Sequence, residues 1–303
     1  MSSAGGSVKV IIIALFANLG IAISKLAGAL ISGSASLLAE AIHSFVDCAN
    51  QALLLVGNKA SAKAPSLKHP LGYGREAFFW SFIVAILLFS LGGVFSVYEG
   101  IHKLSSHEPM ESPILVVVIL FIAVALESYS FMACLAEVRE KNRFGSLRAW
   151  FKKTTEAELL VIFTEDLAAL LGLVFALVCV SLAWATGNPL WDATGSILVG
   201  VLLVAVALLL SVEIKSLIIG EAPSIDLRPA VESIVAERIP GGRVLALIAL
   251  QTGASEVMLS YKVTPGGMTD VNGLIDAINK VEVEVKTRFP EVKWQFVEPD
   301  HHA

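Results

Sequence analysis

The chain has 303 residues, of which 55% are hydrophobic and only 16% are charged, and its mean hydropathy is +0.74. This composition excludes an ordinary soluble domain, in which about a quarter of the residues are charged. The formal net charge of −5 is modest, and nothing in its distribution indicates a nucleic-acid partner.

Six apolar stretches reach the length of about 20 residues that a helix needs to cross a bilayer. They are approximately residues 8–31, 34–56, 77–101, 113–135, 159–186 and 190–218. The first stretch is too long for a removed signal peptide and lacks a convincing small-residue cleavage site, so we expect a retained helix. The sequence therefore predicts an all-α bundle of six transmembrane helices within residues 1–220.

Lys and Arg are unevenly divided between the two sets of connections. Ten follow the second and fourth spans, whereas Lys103 stands alone on the opposite side. The ten are Lys59, Lys63, Lys68, Arg75, Arg139, Lys141, Arg143, Arg148, Lys152 and Lys153. Because positively charged loops stay cytoplasmic, we expect both termini inside. No Arg/Ser-rich amphipathic presequence precedes the first span, which favours a bacterial inner or plasma membrane over an organelle.

From residue 221 onward the sequence becomes water-soluble and alternates between helical and strand patterns. The predicted elements are a helix over 229–238, strands over 244–251 and 256–263, a helix over 271–289 with Asp270 as its N-cap, and a strand over 292–297. This αββαβ order predicts a small α+β, ferredoxin-like cytoplasmic domain over 221–303. A domain of about 80 residues buries little apolar surface alone, which favours a role in dimerisation.

The second span carries a polar stripe along an otherwise apolar helix. At 100° per residue, its polar side chains fall within roughly 120° of one another. They are Ser36, Glu40, His43, Ser44, Asp47, Asn50 and Gln51. Ionisable residues at membrane depth usually mark a transport pathway.

His43 and Asp47 are the candidate metal ligands of this stripe. Their i, i+4 spacing brings the two side chains together on one helix face. An imidazole nitrogen and a carboxylate oxygen suit Zn²⁺, Fe²⁺, Mn²⁺ or Co²⁺ better than Ca²⁺ or Mg²⁺. The alternative is a buried hydrogen bond between the two side chains that only ties helices together.

Glu165 and Asp166 supply two further carboxylates from the fifth span. Adjacent residues point about 100° apart, so both cannot face one site squarely. Neither would stay ionised in lipid without a cation, a proton or a partner, and a protonated pair or an inter-helix salt bridge is the alternative.

Three charged side chains of other spans have supporting roles in these predictions. Lys25 is expected to snorkel or to pair with a carboxylate. Glu127 would relay protons or pair with Lys25, and a purely structural salt bridge stays open. Asp192 opens the sixth span and is expected to cap that helix.

Four motifs of the chain resemble the cation diffusion facilitator family. They are SGSASLLAEAIHSFVDCANQALLLVG, HPLGYGREAFFW, TEDLAALLG and DATGSILVGVLL. The resemblance covers the whole chain, and the HxxxD helix carries it most specifically. It implies a homodimeric, proton-coupled exporter of divalent metals, chiefly zinc, with six spans and a cytoplasmic ferredoxin-like domain.

The resemblance also implies a transport site with two residues from the second span and two from the fifth. His43 and Asp47 match the second-span positions, and Asp166 matches the second fifth-span position. The usual His four residues earlier is Ile162 here. Glu165, Asn50 or water is therefore the candidate fourth ligand, and the Glu-Asp pair is similar to a branch that includes mitochondrial zinc transporters.

We therefore predict a secondary active transporter rather than an enzyme. Its partners would be protons, membrane lipid, a second copy of the chain and a transported Zn²⁺, with Fe²⁺, Mn²⁺, Co²⁺ and Cd²⁺ open. No permanently bound cofactor is expected. One alternative is a metal-sensing membrane protein without transport. Another is an intramembrane metalloenzyme, although His43 lacks the Glu that follows the first His of HExxH.

Overall fold

The computed structural model describes residues 4–106 and 112–301, with side chains from residue 18 onward. The helices are α1 (Ala4–Ser32), α2 (Ala35–Ser61), α3 (Glu76–Ser106), α4 (Pro113–Lys141), α5 (Leu147–Lys153), α6 (Ala157–Thr186), α7 (Leu190–Ile219), α8 (Arg228–Arg238) and α9 (Val271–Arg288). The strands are β1 (Val244–Gly253), β2 (Glu256–Val263) and β3 (Val292–Pro299).

The described residues fall into two compact units. The first runs up to Val56 and includes Trp80–Phe151 and Glu158–Ile214. The second comprises Gly57–Phe79, Lys152–Ala157 and the chain from Lys215 onward. The sequence predicted a single boundary at residue 220. In the structure, the second unit also includes two segments that precede this boundary, Gly57–Phe79 and Lys152–Ala157.

Four helices of the described chain are long and apolar enough to cross a membrane, namely α3, α4, α6 and α7. The described apolar part of α1 is the shorter segment Asn18–Ser32. Helix α2 has 27 residues, but its polar stripe lowers its hydropathy. The chain is thus a multi-pass membrane protein, and the count of six spans stays a prediction.

Glycines allow α3 and α7 to approach each other closely. A Cβ atom on Gly100 would lie 2.9 Å from the carbonyl oxygen of Ala193, and one on Gly200 would lie 2.8 Å from that of Gly93. Ser196 Oγ also donates to the Ser96 carbonyl across 2.8 Å. Small residues are the usual means by which membrane helices come into backbone contact, because apolar side chains gain little by leaving lipid.

The second unit contains a three-stranded sheet with the order β1-β2-β3. Strands β1 and β2 pair antiparallel, and β2 and β3 pair parallel after the crossover through α9. The predicted αββαβ order is confirmed. Asp270 accepts from the backbone N–H groups of Asn272 and Gly273, so its predicted role as N-cap is also confirmed. The ferredoxin-like assignment stays a prediction.

Helices α8 and α9 cover the sheet through a continuous apolar core. Its fully buried members include Val231, Ile234, Leu259, Val281 and Val285. Tyr261 also lies in this core, where its hydroxyl hydrogen-bonds Gln295 Oε1 across 3.3 Å. Burial raises the pKa of the Tyr261 phenol above its ordinary range.

A surface ion-pair network joins α8 and α9. Glu284 Oε2 accepts a 2.8 Å hydrogen bond from Arg238 Nε, and Arg288 donates to the other carboxylate oxygen. The hydrogen bond from Arg238 is the main reason that the pKa of Glu284 lies below its ordinary value.

This lowered pKa predicts an acid-sensitive contribution to stability. A carboxylate whose pKa is lowered by folding stabilises the protein above its unfolded pKa of about 4.3 and loses that effect as the pH falls through the folded value. We expect the thermal midpoint of the full chain in detergent, followed by circular dichroism, to fall more steeply below about pH 5 in the wild type than in Glu284→Gln. The control is Glu232→Gln, which removes another surface ion pair. Equal acid slopes for the wild type and Glu284→Gln would contradict the prediction.

Candidate metal site

Helix α2 begins at a carboxylate supplied by another helix. Asp192 is fully buried and accepts hydrogen bonds from Ser34 Oγ at 2.7 Å, Ala35 N at 2.7 Å and Ser36 N at 3.1 Å. Ser36 Oγ donates back to the Asp192 carbonyl across 2.6 Å. The free N–H groups at the start of α2 are thereby satisfied.

The predicted role of Asp192 as the cap of its own helix was therefore wrong. Asp192 is the third residue of α7, and the N–H of Leu190 at the start of α7 is satisfied by Asn188 Oδ1 at 3.0 Å. The carboxylate of Asp192 is free to cross to α2 because an earlier residue caps α7. This contact fixes where the polar stripe of α2 starts.

The polar stripe of α2 lies inside the first unit. Ser36, Glu40, His43 and Asn50 are each at most 1% exposed. The Asp47 side chain is 23% exposed. Polar atoms that are cut off from water need partners within the protein, so each contact of this stripe matters.

His43 and Asp47 meet on one face of α2, as their spacing predicted. His43 Nδ1 lies 3.5 Å from Asp47 Oδ1. Neither ring nitrogen of His43 makes a hydrogen bond within the described residues, and neither does Asp47 Oδ1. The simple His–Asp hydrogen bond considered as an alternative is thus not formed. Unshared electron pairs on an imidazole nitrogen and a carboxylate oxygen are the donors that a transition-metal dication accepts.

The two carboxylates of α6 face different neighbours. Glu165 is 6% exposed, and its Oε1 accepts a 2.5 Å hydrogen bond from Asn50 Nδ2 of α2. Asp166 is hydrogen-bonded by Ser130 of α4 instead. The carboxylate of α6 that adjoins α2 is therefore Glu165. The resemblance had matched Asp166 to a ligand position and left Glu165 as one candidate for the fourth ligand.

The structure does not gather the four predicted ligands into one cluster. Within residues 18–106 and 112–301, no group of three or more His, Cys, Asp or Glu side chains lies close enough together to hold a metal ion. Ile162, at the position of the family's usual His, is 37% exposed. The ligand set His43, Asp47, Glu165 and Asp166 stays a prediction.

A buried ion pair adjoins the site. Lys25 is 3% exposed and Glu40 is fully buried, and Lys25 Nζ lies 3.3 Å from Glu40 Oε2. The same ammonium donates to Ser44 Oγ across 2.8 Å. The expected pairing of Lys25 with a carboxylate is confirmed.

Glu127 is not the carboxylate that Lys25 contacts. Within the described residues the hydrogen bonds of Lys25 go to Glu40 and Ser44, so the alternative in which Glu127 pairs with Lys25 is not seen, and the proton relay through Glu127 stays a prediction. Glu127 also acts electrostatically on Asp166. Glu40 was the residue missed as a partner of Lys25, and its place in the middle of the polar stripe was the sequence signal that could have identified it.

These contacts define a multi-pass membrane protein whose ionisable side chains face one another inside the helical bundle. The family model for the cation efflux transmembrane domain matches residues 11–219 of the chain. The chain belongs to this family, the cation diffusion facilitators, as the sequence motifs indicated. It is a member of a family of transporters rather than of enzymes.

Three relatives show the range of similarity. The proton-coupled zinc antiporter SLC30A9, mitochondrial, of Xenopus laevis is 35% identical over 219 residues, which is 72% of this chain and 39% of the relative. Metal tolerance protein C4 of Arabidopsis thaliana is 34% identical over 193 residues, or 63% of this chain and 42% of the relative. Magnetosome protein MamB of Magnetospira sp. (strain QH-2) is 28% identical over 203 residues, or 66% of this chain and 63% of the relative. The chain thus spans about two fifths of the first two.

The Asp192 contact predicts a large effect of a single substitution. Asp192→Ala removes a cap and leaves the buried N–H groups of Ala35 and Ser36 without an acceptor, so we expect a loss of about 2–4 kcal/mol in stability. The measurement is the thermal midpoint of the detergent-solubilised chain. Asp226→Ala is the matched control, because the exposed Asp226 accepts from the N–H of Arg228 at the start of α8. A midpoint no lower for Asp192→Ala than for the control would contradict the assignment.

Proposed function

We propose that the chain exports divalent transition-metal cations, chiefly Zn²⁺, in exchange for protons by alternating access across a membrane. The proposal rests above all on the pair of His43 and Asp47, in which both ring nitrogens and Asp47 Oδ1 are buried and have no hydrogen-bond partner among the described residues. Desolvated groups of this kind are costly in an apolar bundle unless a cation or a proton occupies them in turn.

In this proposal the second helix provides the fixed part of the site. His43 and Asp47 supply one nitrogen and one oxygen ligand from consecutive turns of α2. Glu165 and Asp166 of α6 supply carboxylate oxygens, and Asn50 is the polar side chain that holds Glu165 beside α2. This hydrogen bond uses Glu165 Oε1 and leaves the second carboxylate oxygen for the ion.

Proton coupling follows from the chemistry of the ligands. Carboxylates and imidazole must be deprotonated to bind a metal ion, so entry of the ion releases protons and their return releases the ion. Histidine suits this exchange because its reference pKa of about 6.5 is close to physiological pH. The name of the Xenopus laevis relative, a proton-coupled zinc antiporter, supports this part of the proposal.

The larger assembly is also part of the proposal. Six spans would carry the site, both termini would be cytoplasmic, and two copies would associate through their membrane parts and ferredoxin-like domains. The excess of Lys and Arg in alternate connections supports the orientation.

Asp47→Ala tests the site directly. In proteoliposomes with an internal pH dye, we expect zinc-driven proton flux in the wild type and a loss of at least about 90% in Asp47→Ala, because the carboxylate that shares the proposed site with His43 on α2 is gone. Glu99→Ala serves as the control, because it removes an acid of α3 that has no part in the proposed site. Undiminished flux in Asp47→Ala would reject the site, and zinc binding without flux in the wild type would favour a metal sensor.

His43→Asp tests whether coordination chemistry sets the metal preference. Replacing nitrogen by oxygen favours ions that accept more oxygen ligands, so we expect the ratio of manganese or cadmium transport to zinc transport to rise about tenfold. The measurement is the initial transport rate of each metal in a panel, with the wild type measured in parallel. An unchanged profile would count against His43 as a ligand.

A further inference from the structure

Glu40 and Lys25 form a buried charge pair that the proposed ligand set does not use. Lys25 Nζ holds Glu40 Oε2 at 3.3 Å and Ser44 Oγ at 2.8 Å. The other carboxylate oxygen, Glu40 Oε1, is buried and has no hydrogen-bond partner within the described residues. Leaving a buried carboxylate oxygen without a donor is costly, which indicates that this oxygen has a function beyond tying α1 to α2.

Glu40 belongs to the same helix as His43 and Asp47. Glu40 and His43 are spaced i, i+3 on α2, so they are neighbours on one face. A Cβ atom on Gly172 of α6 would lie 2.9 Å from Glu40 Oε1. The carboxylate therefore sits between α2 and α6, the same two helices that Asn50 and Glu165 join.

We propose that Lys25 is a specificity-determining residue, which withholds the Glu40 carboxylate from the metal by binding it with a tethered ammonium group. This inference rests on the proposed function. Glu40 Oε1, which has no hydrogen-bond partner among the described residues, would otherwise be a further oxygen donor on α2, three residues before His43. With Lys25 in place, the Glu40 carboxylate stays outside the proposed ligand set of one imidazole and three carboxylates, and the imidazole nitrogen favours Zn²⁺.

Removing the ammonium would change both the charge and the donor set of the site. Lys25→Met keeps an unbranched apolar side chain only one heavy atom shorter than lysine but frees Glu40. The site then gains an anionic oxygen donor, which suits Mn²⁺ better than Zn²⁺ because Mn²⁺ prefers oxygen ligands and more of them. In Lys25→Met combined with Glu40→Gln, the extra carboxylate is gone again, so the original preference should return.

The experiment compares three variants with the wild type by two readouts. One readout is the ratio of manganese to zinc flux in proteoliposomes, and the other is the ratio of their binding constants for the full chain in detergent. Lys103→Met is the matched control: Lys103 is 6% exposed and donates to the Gly33 carbonyl at 2.7 Å, so its loss removes a buried lysine without freeing a carboxylate. The remaining variants are Lys25→Met and the double variant.

We expect the manganese-to-zinc ratio to rise about tenfold or more in Lys25→Met, because a tenfold change corresponds to about the free energy of one charge-assisted hydrogen bond. In the double variant the ratio should return to the wild-type value. Lys103→Met should keep the wild-type ratio. If Lys25 and Glu40 are only a structural pair, Lys25→Met lowers the binding of both metals equally and leaves the ratio unchanged, which would overturn the proposal. A raised ratio that persists in the double variant would overturn it as well, because Glu40 would not be the cause.

A substitute variant and a separate readout keep the proposal testable if Lys25→Met does not fold or if the proposed function fails. If Lys25→Met does not fold, Ser44→Ala removes one of the two bonds that hold the ammonium and should raise the ratio in the same direction by a smaller factor, and no change would overturn the proposal. Failure of the proposed function is recognised separately, since the wild type would then bind metal without carrying it. The binding ratios still decide the role of Lys25 in that case.

Discussion

The need to compensate ionisable groups inside an apolar bundle governs the first unit of this protein. Helix α2 buries a carboxylate, an imidazole and an amide on one face, and each is cut off from water. Glu40 is compensated by Lys25 and Asn50 by Glu165, whereas both nitrogens of His43 have no partner in the described chain. Glu40 and Asn50 each use one polar atom in a contact and keep one buried oxygen free, whereas His43 uses neither nitrogen, and the unpartnered atoms are those available to the proposed exchange of metal and protons.

Both close backbone contacts and side-chain hydrogen bonds hold the helices of the first unit in this arrangement. Glycines at positions 93, 100 and 200 let α3 and α7 come together, and Gly172 and Gly195 leave space on α6 and α7 for the polar side chains of α2. Asp192 then fixes the start of α2 through three hydrogen bonds. Close packing lowers the number of positions that each buried polar group can take, so charges in the bundle meet defined partners.

Much of the fold and part of the site could be predicted from the sequence. Apolar length identified the four helices that can cross a membrane, and alternating patterns identified the αββαβ order with Asp270 as a cap. The i, i+4 spacing brought His43 to Asp47. These predictions succeed because each depends on the periodicity of a single element, which the sequence alone contains.

The sequence by itself determined the family, the multi-pass character and the polar face of α2. The tertiary structure decided which side chain on that face meets which neighbour. It paired Lys25 with Glu40 rather than Glu127, turned Glu165 rather than Asp166 toward α2, and placed the cap of α2 on α7. The reason is that the rotation of one helix against another depends on packing among several helices at once, and no periodicity within a single helix specifies it.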